Sequence, residues 1–203
     1  MTSGHNSLGV LSPAGIFSVM SSLTLSLRRL VLLALVCFTT ALRAETAASV
    51  QTAPQTVADA EGHFVAKFPG AVQRGSQPVE TSAGQVTMNM IYHDGGASAF
   101  MVIYCDYPAG MVQRAGGPDA VCENASKGAV KNVNGTLRAS SACQVGKVNG
   151  LEIIADVPAQ KSVARIRFLI VKDRLYQVMY LGPVGSETSD AAKDFLDSFR
   201  LTR

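Results

Sequence analysis

The sequence predicts an α+β domain with helices packed on an antiparallel sheet, and three observations lead there. Runs of alternating apolar and polar residues, the period of half-buried strands, recur before and after one stretch of helical period. The connections between consecutive runs are short, which forces antiparallel pairing. The chain then closes on Ala192, Phe195, Leu196 and Phe199, an apolar stripe at helical spacing. Strands and helices segregated in this way define the α+β class.

The elements follow in order. Phe64, Ala66 and Phe68 alternate in a short strand stopped by Pro69-Gly70. After a turn at 81–84, Val86, Met88, Met90 and Tyr92 share one strand face. Asp94-Gly95-Gly96 suits a hairpin loop, and the partner strand Ser98–Tyr107 is apolar on both faces, as a strand covered on both sides would be. Gly117-Pro118-Asp119 opens a helix with proline in its first turn, and Val121, Ala125, Gly128 and Ala129 give it a narrow stripe of small residues. Asn134-Gly135 ends that helix. Four strand-like runs follow, from Leu137 to Val145, from Leu151 to Val157, from Val163 to Val171 and from Leu175 to Leu181. Asn149-Gly150, Pro158-Ala159-Gln160 and Asp173-Arg174 are the expected turns between them. The final helix is expected to be capped near Thr188 or Ser189.

Ahead of the domain, Arg28-Arg29, the apolar run Leu30–Phe38 and Ala44 have the form of a secretory signal peptide over residues 1–44. Met20 would start a leader of conventional length, so residues 1–19 read as an upstream start assigned in error. The apolar run is shorter than the roughly 20 residues of a spanning helix. No small residue precedes Cys37, as a lipoprotein cleavage site would need. Removal of the leader takes Arg28, Arg29 and Arg43 from the 18 basic residues and none of the 15 acidic ones, so the formal charge of +3 disappears. A neutral chain gives no footprint for nucleic acid or anionic lipid. Residues 45–60, rich in Ala, Thr and Gln, are expected to be a flexible tether. The domain proper is expected over 61–203.

Phe64–Pro69, Tyr104-Cys105-Asp106-Tyr107-Pro108, Gly150-Leu151-Glu152, Arg174-Leu175-Tyr176 and Phe195-Leu196-Asp197-Ser198-Phe199 together resemble the PsbP-like superfamily, in particular its small exported bacterial members. The resemblance implies an α/β/α sandwich. It implies little chemistry, because the superfamily spans an extrinsic photosystem II subunit, a nuclear-transport accessory protein and envelope lipoproteins.

Candidate sites are sparse. His63, His93 and Asp94 offer imidazole and carboxylate ligands for a divalent metal, a role the photosynthetic relatives suggest, although no metal-spaced pair is present. Cys105, Cys122 and Cys143 remain after processing. A bridge between Cys122 and Cys143 is expected, with Cys105 a core thiol. Arg165 and Arg167, with Lys161 and Lys172 nearby, could form an anion or partner site. No serine lies in a nucleophile elbow and no glycine run makes a phosphate loop. The reading is an exported, periplasmic or secreted, non-catalytic binding or accessory module without cofactors. Its partner would be an envelope protein or small ligand, with no nucleic acid and no membrane span after processing. The alternatives are a periplasmic metal-binding protein and an envelope hydrolase.

Overall fold

The structure, a computed structural model, describes residues 53–81 and 84–202. The expected leader lies outside the described residues. Among the described residues ten strands form two sheets. A three-stranded sheet holds β1 (Gln55–Asp59), β2 (Phe64–Phe68) and β10 (Arg200–Leu201) in the order β1-β2-β10. A seven-stranded antiparallel sheet holds β3 (Gln73–Thr81), β4 (Gly84–Asp94), β5 (Ala99–Asp106), β6 (Thr136–Val145), β7 (Val148–Val157), β8 (Ser162–Val171) and β9 (Arg174–Pro183), in the order β3-β4-β5-β9-β8-β7-β6. Helices α1 (Met111–Arg114) and α2 (Pro118–Asn132) separate β5 from β6, and α3 (Asp190–Ser198) precedes β10.

The large sheet has an apolar layer on each face. One face (Met88, Ile103, Ile153, Ile166, Phe168, Leu175) packs under α1 and α2, against Val112, Val121, Cys122, Ala125 and Ala129. The small residues of α2 let it lie close over β7 and β8. The other face (Ile91, Phe100, Val102, Tyr104, Tyr176, Val178, Tyr180) packs under the small sheet and α3 through Phe64, Ala66, Phe68, Phe195, Leu196 and Phe199. The expected α+β architecture is the one observed, with α3 and the small sheet together forming the third layer.

Local chemistry explains the boundaries. Pro118 opens α2, and Asn134 ends it in a left-handed conformation, after which the Gly135 N–H donates to the Val130 carbonyl. Ser189 caps α3, its hydroxyl accepting from the Ala192 N–H at 3.3 Å. Phe199 lies one residue beyond α3, yet it is fully buried against Phe64 and Tyr176.

Several expectations need correction. Residues 55–59 are not tether: they form β1, paired residue for residue with β2. Only Val57 and Asp59 of that strand are buried, so its apolar signal is too thin to read. The polar strand β3 is likewise absent from the sequence reading. Asn149-Gly150 is not the turn; the chain reverses at Gly146-Lys147, with Val145 paired to Val148. Gly150 instead sits inside β7, where a Cβ would come within 2.4 Å of the Phe168 carbonyl oxygen. The last hairpin turns at Lys172-Asp173 rather than at Asp173-Arg174, with Lys172 at positive φ.

Phe199→Ala removes a ring buried between the small sheet and the large one. It is expected to destabilise the domain by about 3–5 kcal/mol, seen as a lowered urea midpoint with the fold retained. An unchanged midpoint would show that the chain after α3 is not docked on the core.

Candidate functional site

The polar side chains that carry chemistry gather at the rims of the second apolar layer, in two clusters. The first lies under α3. Glu152 on β7 faces Arg165 and Arg167 on β8, because the register sets Glu152 opposite Arg167 and Ile154 opposite Arg165. One Glu152 carboxylate oxygen accepts from Arg165 Nε (3.0 Å) and Nη2 (2.8 Å), the other from Arg167 Nε (2.6 Å). The remaining guanidinium nitrogens tie down the α3 segment. Arg167 donates to the Leu196 carbonyl and the Asp197 carboxylate, and Arg165 donates to the Glu187 carbonyl. Arg138 joins the cluster through ion pairs with Asp156 and Glu187. Burial disfavours the Arg167 charge, but Glu152 and Asp197 outweigh it and raise the pKa.

The second cluster fastens the small sheet. The buried Asp59 carboxylate accepts from the Gly62 N–H at 2.5 Å, from Arg74 and from the Tyr104 hydroxyl at 3.4 Å. Burial works to raise the Asp59 pKa; the Arg74 and Gly62 hydrogen bonds and the Arg74 charge prevail and hold it below 3.8. Tyr104, desolvated and beside that carboxylate, is pushed up to about 12 and stays a neutral phenol. The Tyr176 hydroxyl donates to the Gly62 carbonyl at 2.8 Å. Arg174 grips both oxygens of Asp106 at 2.6 Å, donates to the Glu61 carbonyl and lies 5.1 Å from the Tyr104 ring centroid.

An apolar groove lies on the opposite face, between the end of α2 and strands β7 to β9. It is shallow, with room for only about 20 Å³, and its lining includes Ala129, Val133, Ala155, Ile166 and Met179. Gln160 is the one polar side chain in that lining. Such walls offer aliphatic contact and one amide, and no acid, base or nucleophile.

The expected site residues are dispersed. His63 is an exposed residue in the turn before β2, at positive φ, with its carbonyl accepting from Thr202. His93, on β4, lies against Gly70, beyond the far end of β2. At about 3.3 Å per residue the two are roughly 20 Å apart and cannot share an ion. The His93 Nδ1–H donates to the Ala71 carbonyl at 2.8 Å, which fixes its tautomer, and its ring packs on Phe100. Asp94 accepts from the Gly96 N–H at 2.8 Å and so shapes its own turn. Among the described residues no group of three His, Cys, Asp or Glu side chains is placed to hold a metal.

The structure does not show the expected Cys122–Cys143 bridge: among the described residues Cys105, Cys122 and Cys143 are free thiols. The register gives the reason. Cys143 pairs with Gly150 and shares a face with Val145, in the layer under α3, whereas Cys122 lies in the layer under α2. The sheet stands between them. Burial pushes the Cys105 and Cys122 thiols up to about 12, with Asp106 and Asp119 respectively adding to the effect, so neither is a nucleophile near neutral pH. The proposed anion site dissolves as well. Arg165 and Arg167 are held by Glu152, while Lys161 and Lys172 flank opposite ends of β8, roughly 35 Å apart along the strand. Sequence reading missed Asp59 and Arg74, since both fall in stretches without apolar periodicity. Glu152 and Arg174 lay among the residues that carried the resemblance.

An antiparallel sheet with α2 on one face and a small sheet plus helix on the other, braced at its rims by arginine–carboxylate pairs, is a PsbP-like fold. The solution structure of cyanobacterial PsbP (CyanoP) from Synechocystis sp. PCC 6803 superposes with a TM-score of 0.51 at 11% identity, covering 76% of this chain and 95% of that one. A crystal structure from Bacteroides thetaiotaomicron gives 0.43 at 7% identity, over 75% of this chain and 49% of that one. At 11% identity the likeness to the cyanobacterial protein is one of fold. No protein-family model and no curated protein matches the sequence.

Glu152→Ala would leave Arg165, 16% exposed, with no carboxylate partner and Arg167, 13% exposed, with Asp197 alone. A loss of about 1–3 kcal/mol is expected, the cost of leaving a half-buried charged donor short of a partner. Arg167→Met, which removes the ties to Leu196 and Asp197, should lower the melting temperature as well, and a native melting curve for both Glu152→Ala and Arg167→Met would refute the bracing role. Asp59 gives a pH dependence. Its folded pKa lies below its unfolded value, so its contribution is complete above the unfolded pKa and is lost as pH falls through the folded one. Thermal melts of the native protein and Asp59→Asn should therefore differ at pH 7, and the difference should shrink as the pH is taken below 3.8 and the folded carboxylate is protonated.

Proposed function

We infer that this chain is an exported, non-catalytic binding or accessory module that works in the periplasm or outside the cell. The bracing carries this reading. Glu152, Arg165, Arg167, Asp59, Tyr104 and Arg174 are the side chains best suited to chemistry, and their hydrogen bonds hold the layers together. What the domain offers to a partner is then its surface: sheet edges and an apolar groove. The PsbP-like fold supports an accessory role, and the leader over residues 1–44 supports export. No helix among the described residues is long and apolar enough to cross a membrane.

Expression of the full chain in a Gram-negative host, followed by osmotic shock, tests this directly. The released protein should begin at or within a few residues of Glu45. Intact leader in the membrane pellet would overturn export. The same protein should melt identically with and without EDTA. A drop reversed by one divalent metal and abolished by His93→Ala would replace the accessory reading with a metal-binding one.

A further inference from the structure

The two edges of the seven-stranded sheet are unlike. β3, at one end, carries Pro78 and the charged Arg74 and Glu80, devices that discourage further strand pairing. β6, at the other end, has no proline and one charged residue, Arg138, whose guanidinium is turned onto Asp156 and Glu187. A bulge between Leu137 and Ala139 disrupts the start of β6. From Ala139 to Gln144 the strand is regular and, apart from half-buried Cys143, exposed.

The hairpin fixes which backbone groups face outward. Val145 pairs with Val148 across a two-residue turn, so the hydrogen-bonded pairs of this ladder fall at Val145, Cys143, Ser141 and Ala139. The N–H and C=O groups of Ser140, Ala142 and Gln144 therefore point away from β7. Among the described residues no strand lies beyond them.

We propose that β6 is a self-association edge, at which a second copy of this chain pairs antiparallel about a two-fold axis through Ala142. Ser140 then lies opposite the second copy's Gln144, and Ala142 opposite its own equivalent, so three pairs exchange about six backbone hydrogen bonds. Charge favours a second copy as the occupant. The paired segment from Ser140 to Gln144 is uncharged; the same axis sets Arg138 opposite the second copy's Gly146, one residue from its Lys147, and there the Arg138 charge is already held by Asp156 and Glu187. The arrangement is isologous and closes at two copies. Pairing through so short a strand buries less than the roughly 1,200–2,000 Å² of a stable interface, so the association is weak and reversible.

Two measurements test it. Sedimentation of the exported protein should show the average mass rising from monomer toward dimer between about 10 µM and 1 mM. Ala142→Pro, which deletes an outward N–H and spares the bonds to β7, should abolish the rise. The axis also sets Ser141 against the second copy's Cys143 in a non-hydrogen-bonded pair, whose Cα spacing of about 4.5 Å suits a disulfide. Under mild oxidation Ser141→Cys should give a covalent dimer, and Ser140→Cys, which faces the other side of the sheet, should not. The Ser141/Ser140 comparison decides the matter even if Ala142→Pro fails to fold. A monomer at every concentration, or equal cross-linking of both cysteine variants, would overturn the proposal.

Discussion

The aromatic layer between the two sheets is the constraint on which the rest of the molecule depends. Phe64 stacks on Phe199 at 5.4 Å, Phe199 meets Tyr176 edge-on at 5.9 Å, and Phe100 bridges Tyr180 and Phe195. β1, β2 and β10 total too few residues to stand as an independent sheet, since a sheet this small needs a partner surface. The rings supply that surface. They also bring phenolic hydroxyls into a desolvated layer, where each must find a partner or cost free energy.

That requirement explains the position of the charged groups. Tyr104 reaches Asp59, Tyr176 reaches the Gly62 carbonyl, and Tyr180 reaches Ser186, all at the rim of the layer. Once Asp59 is buried to receive Tyr104, it needs a cation, and Arg74 supplies one from the edge strand β3. Under α3 the logic repeats. The face of β7 and β8 beyond the aromatics is polar, and Glu152 with two arginines forms a floor to which Arg167 ties the end of the helix through Leu196 and Asp197.

This dependence also accounts for what the sequence could disclose. β2, β5, β8 and α3 were legible because each buries a full apolar stripe whose period survives in one dimension. β1, with Val57 and Asp59 as its buried residues, and β3, with its polar outer face, owe their structure to partners distant in sequence, and no local pattern marks them. The cysteines failed differently. Spacing suggested that a helix and the following strand could join Cys122 to Cys143. Strand parity, set by the hairpin at Gly146-Lys147, decides which face Cys143 takes, and moving the turn from Asn149-Gly150 to that position belongs to the same register.

The site was harder to read than the fold for a related reason. Motif reading looks for side chains whose type and spacing announce a reaction, and in this domain such side chains exist but are engaged with one another. Arg165 and Arg167 look like an anion site until Glu152, thirteen residues earlier in the chain than Arg165, is seen to lie between them. Among the surfaces left open are backbone along β6 and aliphatic side chains beside α2. Neither carries a signature, because an open strand edge is defined by the absence of a neighbour, and the amide groups that make it adhesive are the same in every residue. A domain whose side chains are spent on maintaining its layers can therefore keep its fold through extensive sequence change. That is consistent with the 11% identity at which the PsbP fold is still superposable.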